Sequence, residues 1–355
     1  METKRSNDSF INNESTWLSY PELFGRNIFF SVLPVMVWIV LGIGAMGILG
    51  NILIILVYKK LGFSETIHMS YLALAISDLL SVLSTMWSFI FLSPIFEAVL
   101  KQLPIATDVH FTSFTGAWPL FAFSRSTALI TAWISLERCL CVVFPIKVKR
   151  IITPTVTKIV LLTIFIFGCG PVVFVYIGIE SEWRLDPLRN QTKLFVFADD
   201  SKQTTILQRF ARILYGFVYP VSSWVIVTVS TAILIIQLRA SNLWRNQHLN
   251  RSVNDMRQTG DFHQRRICER SNRVSKVVIV VACVFIICSF PISLNLFLSI
   301  SIPGFSINGS FRYLFYLNGL FVSFLSEMNS SVNIIVFTVV SSKFRSALLQ
   351  VLSIK

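Results

Sequence analysis

Seven stretches of the chain are apolar over at least the roughly 20 residues that a helix needs to cross a bilayer. They are approximately 33–58, 68–92, 111–141, 156–179, 208–238, 274–300 and 312–340. Charged residues gather at their ends and in the connections between them. This pattern predicts an all-α membrane protein, a bundle of seven transmembrane helices over 33–340, with a polar leader 1–32 and a short tail 341–355. In the tail, Phe344, Leu348, Leu349 and Leu352 recur at helical spacing, which predicts a short amphipathic helix on the inner membrane surface. The leader has no early apolar core of the kind a cleaved signal carries, so the first span is expected to direct insertion.

Composition agrees. The chain is 54% hydrophobic and 14% charged, against about 25% charged for a soluble domain, and this hydrophobicity excludes a disordered chain. A net charge of +13 would point to nucleic acid only on a soluble basic face. Here the basic residues flank apolar runs, so membrane lipid is the expected partner and nucleic acid is not. The basic loop 240–271 mixes Arg with Asn and Gln without apolar periodicity and reads as a cytoplasmic connection. Lys59, Lys60, Lys147, Lys149, Arg150, Lys158, the Arg239–Lys276 cluster, Lys343, Arg345 and Lys355 share one side with only Glu65, Asp255, Asp261 and Glu269. Positive loops stay cytoplasmic, which puts the N-terminus outside and predicts a multi-pass plasma-membrane protein. Asn7, Asn13, Asn190 and Asn308 each head an N-x-S/T glycosylation triplet, and all fall on the predicted outer side.

The six cysteines, Cys139, Cys141, Cys169, Cys268, Cys283 and Cys288, lie in spans or cytoplasmic stretches, so no extracellular disulfide is expected. The four histidines are scattered and no H-E-x-x-H or C-x-x-C occurs, which argues against a zinc site. No nucleophile–base set appears, so the protein is not expected to be an enzyme.

Polar residues inside spans are costly and therefore carry information. Asn51 in span one is expected to face the bundle and bond a neighbour, with Gly47 and Gly50 allowing close helix approach. Asp78 places a carboxylate near the middle of span two. Arg125 is a guanidinium within span three that demands a partner, and Glu327 in span seven is one candidate. Span three ends in Glu137-Arg138, ahead of Pro145 and the basic run Lys147, Lys149, Arg150. Snorkelling of Arg138 to the headgroups is the bland explanation. Gly168-Cys169-Gly170-Pro171 is expected to kink span four, and Pro291 to form a hinge in span six. Arg209 and Arg212 share a face at the outer end of span five. Glu327, Asn329, Ser330, Ser331 and Asn333 crowd span seven and predict an internal polar network.

In this order along the chain, Gly50-Asn51, the L-A-x-x-D at Leu74–Asp78, Glu137-Arg138-Cys139, Pro220, the F-x-x-C-x-x-P frame at Phe285–Pro291 and Asn333-x-x-x-Phe337 resemble the motifs of rhodopsin-like (class A) G-protein-coupled receptors. The run ERCLCVVFPIKVKRIITP is further similar to invertebrate, mollusc-type chemosensory receptors and their peptide-receptor relatives. The resemblance implies a ligand-activated receptor, chemosensory or peptide-sensing, that signals to a heterotrimeric G protein. It assigns Glu137, Arg138, Pro291, Asn333 and Phe337 to coupling and switching. It assigns Asn51, Asp78, Thr127, Asn329 and Asn333 to an ion and water network, with a sodium ion at Asp78 as the candidate cofactor. It places Leu120, Phe121, Ser124, Arg125, Arg212, Ile292, Ser293, Leu296, Ser323 and Glu327 around the ligand. Arg209 and Arg212 suggest an anionic ligand group, from a small acid or a peptide terminus, with pairing to loop acids as the alternative.

The departures are specific. Ser113 stands where the family has its cysteine above span three, Ser289 replaces the span-six Trp, Ile334 and Phe337 replace Pro and Tyr of the span-seven motif, and Leu120 replaces the amine-binding Asp. Ser271 stands where an acid would restrain Arg138, with Glu269 nearby, so a weak lock and high basal activity are expected. The alternative class is a seven-span transporter or channel, which would be expected to show inverted repeats or broken helices with paired ion sites; no internal repeat is visible.

Overall fold

The computed structural model describes residues 20–353 apart from 64, 94–95, 97–98, 100–101, 107–108, 178, 187–190, 199–201, 252–274, 292–293, 295–297, 299–300 and 306–308. Its spans are α1 (Tyr20–Leu61), α2 (Thr66–Ile90), α3 (Trp118–Val143), α4 (Pro154–Cys169), α5 (Tyr219–Arg251), α6 (Ser275–Pro291) and α7. α7 runs as Arg312–Ser331 and, after a break at Val332, as Asn333–Val340. Among the described residues, six helices are long and apolar enough to cross a membrane, and Ser275–Pro291 is a shorter apolar one. The chain is an all-α membrane bundle.

Local chemistry sets several helix ends. Thr153 caps α4 by accepting from Val156 N at 3.3 Å, with Pro154 in the first turn. Ser341 caps the amphipathic helix α8 (Ser342–Leu352) by accepting from Phe344 N at 3.2 Å. α8 is anchored by Phe344, buried against Tyr58 and Phe337. The Gly170-Pro171 break ends α4 in a 3₁₀ turn, Gly170–Val172.

α2 packs against α1, α3 and α7, and α3 packs against α5. Towards the inner side these helices enclose Ile54, Leu74, Ile130, Ile134, Leu234 and Phe337. Gly44, Gly47 and Gly50 form a stripe on α1 at i, i+3 spacing. A β-carbon on Gly50 would lie 2.8 Å from Ile334, and one on Gly44 would lie 2.7 Å from both Glu327 Oε1 and Met86. The small residues thus let α1 and α7 approach closely, as expected where dispersion and not hydrophobicity drives helix association. Ile159, Leu162, Ile166 and Phe167 of α4 are exposed and form lipid-facing surface.

Three local features differ from the sequence reading. α1 begins at Tyr20, well before the apolar run, with Pro21 supplying a helix-compatible first turn. α5 continues to Arg251, through polar residues read as loop. The connection after α4 holds a hairpin of β1 (Ile179–Asp186) and β2 (Gln191–Ala198), antiparallel with Ile179 opposite Ala198. Its Leu194-Phe195-Val196-Phe197 run is β-favouring, a signal that the reading by charge alone passed over.

Candidate functional site

Polar groups gather at three depths of the bundle. At the end of the bundle that carries α8, Glu137 is fully buried and receives Thr66 Oγ1 at 2.5 Å, Ser70 Oγ at 3.3 Å and Arg138 Nη2 at 3.0 Å. Thr66 and Ser70 lie one turn apart on α2, so one face of that helix holds the acid while the acid holds Arg138. Arg138 Nε and the Tyr71 hydroxyl are both buried without a hydrogen bond. Tyr71 packs against Phe337 with ring centroids 4.7 Å apart and the planes tilted by 59°, and Tyr58 and Phe344 complete the aromatic cluster.

At mid-depth, Asp78 is fully buried. Asn333 Nδ2 donates to its Oδ2 at 2.7 Å. Thr127 Oγ1 lies 3.0 Å from both Asp78 Oδ1 and Ser77 Oγ, and its single proton serves one of them at a time. Asn51 Nδ2 donates to Ser330 O at 2.9 Å and to Gly47 O at 3.0 Å, tying α1 to α7, while its Oδ1 has no partner.

Further out, α3, α5, α6 and α7 enclose a cavity. Its lining includes Ser124, Arg125, Pro220, Phe285, Ser326 and Asn329. Arg125 is 8% exposed and its Nε donates to Tyr215 O at 2.8 Å. That carbonyl is free for a stated reason. Leu214–Val218 forms a π-helical turn, in which Tyr219 N–H bonds Leu214 O. In the same pattern the next carbonyl, Tyr215 O, would take its proton from residue 220, and Pro220 has no N–H. Arg125 supplies the missing donor.

A family model described as "7 transmembrane receptor (rhodopsin family)" matches residues 50–337, a stretch that takes in all three polar layers. The chain is a member of the rhodopsin family of seven-transmembrane receptors. The receptor is 26% identical over 304 residues to G-protein coupled receptor 54 of Oreochromis niloticus, covering 85% of this chain and 74% of that protein. It is 25% identical over 325 residues to growth hormone secretagogue receptor type 1 of Sus scrofa, covering 86% of this chain and 77% of the relative. Squid rhodopsin shares its fold with a TM-score of 0.62 at 15% identity, covering 91% of this chain and 85% of that one.

The receptor brings some sequence-marked residues together and separates others. Ser124 and Arg125 line the cavity with Thr127 and Asn329, so Asn329 sits on the cavity side and no described hydrogen bond joins it to Asp78. Leu120 is buried, Phe121 is half-exposed against Trp118, Ser323 is partly buried and Arg212 is exposed; none of these lines the cavity. Glu327 departs from its expected place. It is 1% exposed, close to Gly44 of α1 and Thr85 of α2, and forms no ion pair with Arg125. The glycine stripe draws that face of α7 onto α1, turning Glu327 away from the cavity. Ile292, Ser293 and Leu296, the glycosylation triplets at Asn7, Asn13, Asn190 and Asn308, and the Glu269–Ser271 lock position lie outside the described residues.

Among the described residues all five cysteines are free. Hydrogen bonds fasten the outer hairpin instead. Leu194 N donates to Pro104 O and Ala106 N donates to Leu194 O, both at 2.9 Å, joining β2 to the segment ahead of α3. Tyr176 Oη donates to Phe114 O at 2.7 Å beside it. Dithiothreitol therefore leaves the melting temperature of the purified receptor unchanged. A fall of several degrees in reducing buffer would contradict this non-covalent tie.

Proposed function

We propose that this receptor lies in the plasma membrane with its N-terminus outside, senses an extracellular ligand of the peptide class, and activates a heterotrimeric G protein. The observation that carries the reading is the buried Glu137–Arg138 pair held by Thr66 and Ser70 at the inner end of a rhodopsin-family bundle. A held pair is a two-state element: ligand binding outside needs only to favour the state in which Arg138 is released. The relatives named as a G-protein coupled receptor and as growth hormone secretagogue receptors support G-protein coupling and a secretagogue type of agonist over the chemosensory alternative.

The test is expression with promiscuous G proteins and a screen of peptide and small-molecule libraries for nucleotide exchange. The reading expects peptide agonists whose response disappears in Arg138→Ala at equal surface density. Agonists drawn only from neutral hydrophobic small molecules would overturn the peptide assignment. A full response in Arg138→Ala would overturn the switch assignment.

We also propose sodium at Asp78. The oxygen-bearing side chains of Asp78, Thr127 and Asn333 suit a hard cation, and Asn51 Oδ1, with no partner among the described residues, is a further buried acceptor on the α1 side. Replacing sodium by N-methyl-D-glucamine is expected to raise agonist affinity several-fold in the wild type and to leave Asp78→Asn unaffected. Sodium-independent affinity in the wild type would leave water as the occupant of the network.

A further inference from the structure

Arg125 is the one lysine or arginine buried within a span among the described residues; the other buried residue of these two types, Lys193, belongs to β2. A guanidinium at this depth is held at a large desolvation cost unless something neutralises it. The Tyr215 carbonyl fixes its direction through Nε but carries no charge. Its terminal nitrogens form no hydrogen bond or ion pair with any described residue. The three buried carboxylates of the spans lie elsewhere, Asp78 with Thr127 and Asn333, Glu137 with Thr66, Ser70 and Arg138, and Glu327 beside Gly44 and Thr85.

What the guanidinium does meet is the cavity. The Asn329 amide and the Ser326 hydroxyl line it and make no hydrogen bond to a described residue, so two neutral donors face the same space as the cation. The room open to the centre of a water-sized sphere is ≈ 30 Å³, enough for about two waters or one small ion. A peptide cannot enter it, but a monatomic anion or a single carboxylate group can. We propose that this cavity is an anion site in which Arg125, Asn329 and Ser326 hold chloride or a carboxylate group. The anion supplies the counter-charge that the described residues do not. The π-helical turn at Leu214–Val218 and Pro220 aim the guanidinium by exposing the Tyr215 carbonyl. The inference stands on the cavity and does not depend on the signalling partner.

The experiment uses full-length purified receptor at constant ionic strength, with gluconate, chloride or formate as the anion. N-methyl-D-glucamine salts repeat each arm so that sodium at Asp78 is held out. Melting temperature is expected to rise by about 2–4 °C in chloride or formate relative to gluconate, as ligand linkage at one site requires. The ³⁵Cl resonance should broaden in the presence of wild-type receptor. A rise with chloride and formate alike marks a general small-anion site, and a rise with formate alone marks a carboxylate site. Arg125→Gln is expected to abolish the anion dependence and Arg125→Lys to retain part of it. Should Arg125→Gln fail to fold, Asn329→Ala is expected to raise the half-saturating anion concentration several-fold. Equal melting of the wild type in all three anions, or an undiminished anion effect in folded Arg125→Gln, would overturn the proposal.

Discussion

Replacing Glu137 by glutamine raises ligand-independent G-protein activation several-fold. The carboxylate accepts from Thr66, Ser70 and Arg138 together and is fully buried, whereas glutamine has one acceptor oxygen and no charge. Its amide nitrogen would also face donors. Hydrogen bonds to a charged group contribute about 1.5–3 kcal/mol each where buried. Arg138 keeps 15% side-chain exposure, so solvent recovers part of that loss. A remaining bias of about 1 kcal/mol changes the ratio of released to held states roughly fivefold. Thr66→Val removes one donor, keeps the Arg138 ion pair, and is expected to act in the same direction with a smaller effect. Nucleotide exchange on membranes of equal receptor density checks both. Basal exchange at the wild-type level in both variants would show that the α2 hydroxyls do not restrain Arg138.

Leucine at Gly47 removes most correctly folded receptor from the cell surface. A β-carbon there already meets Ser331 and lies 3.3 Å from Val82, and a branched side chain needs space that α1, α2 and α7 leave filled. Overpacking of this kind costs about 1–3 kcal/mol or more, and the displaced α7 carries Ser330 O, the acceptor of Asn51. Gly47→Ala is expected to be milder, because the nearest atom is the Ser331 hydroxyl and a rotamer change can move it. Gly42 is the internal control: a β-carbon there meets nothing within 4 Å, so Gly42→Leu should be neutral. Surface labelling and the half-inactivation temperature read the series. Equal loss at positions 42 and 47 would contradict close α1–α7 packing as the cause.

Hydropathy made the spans legible because a bilayer imposes one length and one composition on every crossing segment. The buried polar residues were legible for the same reason: Asn51, Asp78 and Glu137 stand out against apolar neighbours, and each is buried with hydrogen-bond partners. Thr66 and Ser70 were passed over, although their i, i+4 spacing beside a buried acid was an available signal. The side on which Glu327 lies was not legible, because it depends on how the α1 glycine stripe rotates α7. Nor was the π-helical turn before Pro220, since one added residue per turn changes which carbonyl is free without changing composition. The extension of α5 to Arg251 was hidden because polarity alone does not separate a solvated helix from a loop. The chain thus announces where its charges are buried, while their facing partners emerge only from helix rotation.

On the proposed function, Glu137–Arg138 is the restrained switch of a G-protein-activating receptor. Basal nucleotide exchange on purified heterotrimeric G proteins by reconstituted wild type, Glu137→Gln and Glu137→Gln/Arg138→Ala tests it without any ligand. Exchange several-fold above wild type is expected for Glu137→Gln, with a return to the receptor-free rate for the double variant. Exchange by the double variant as fast as by Glu137→Gln, or none above the receptor-free rate from Glu137→Gln with any G-protein class, would contradict it.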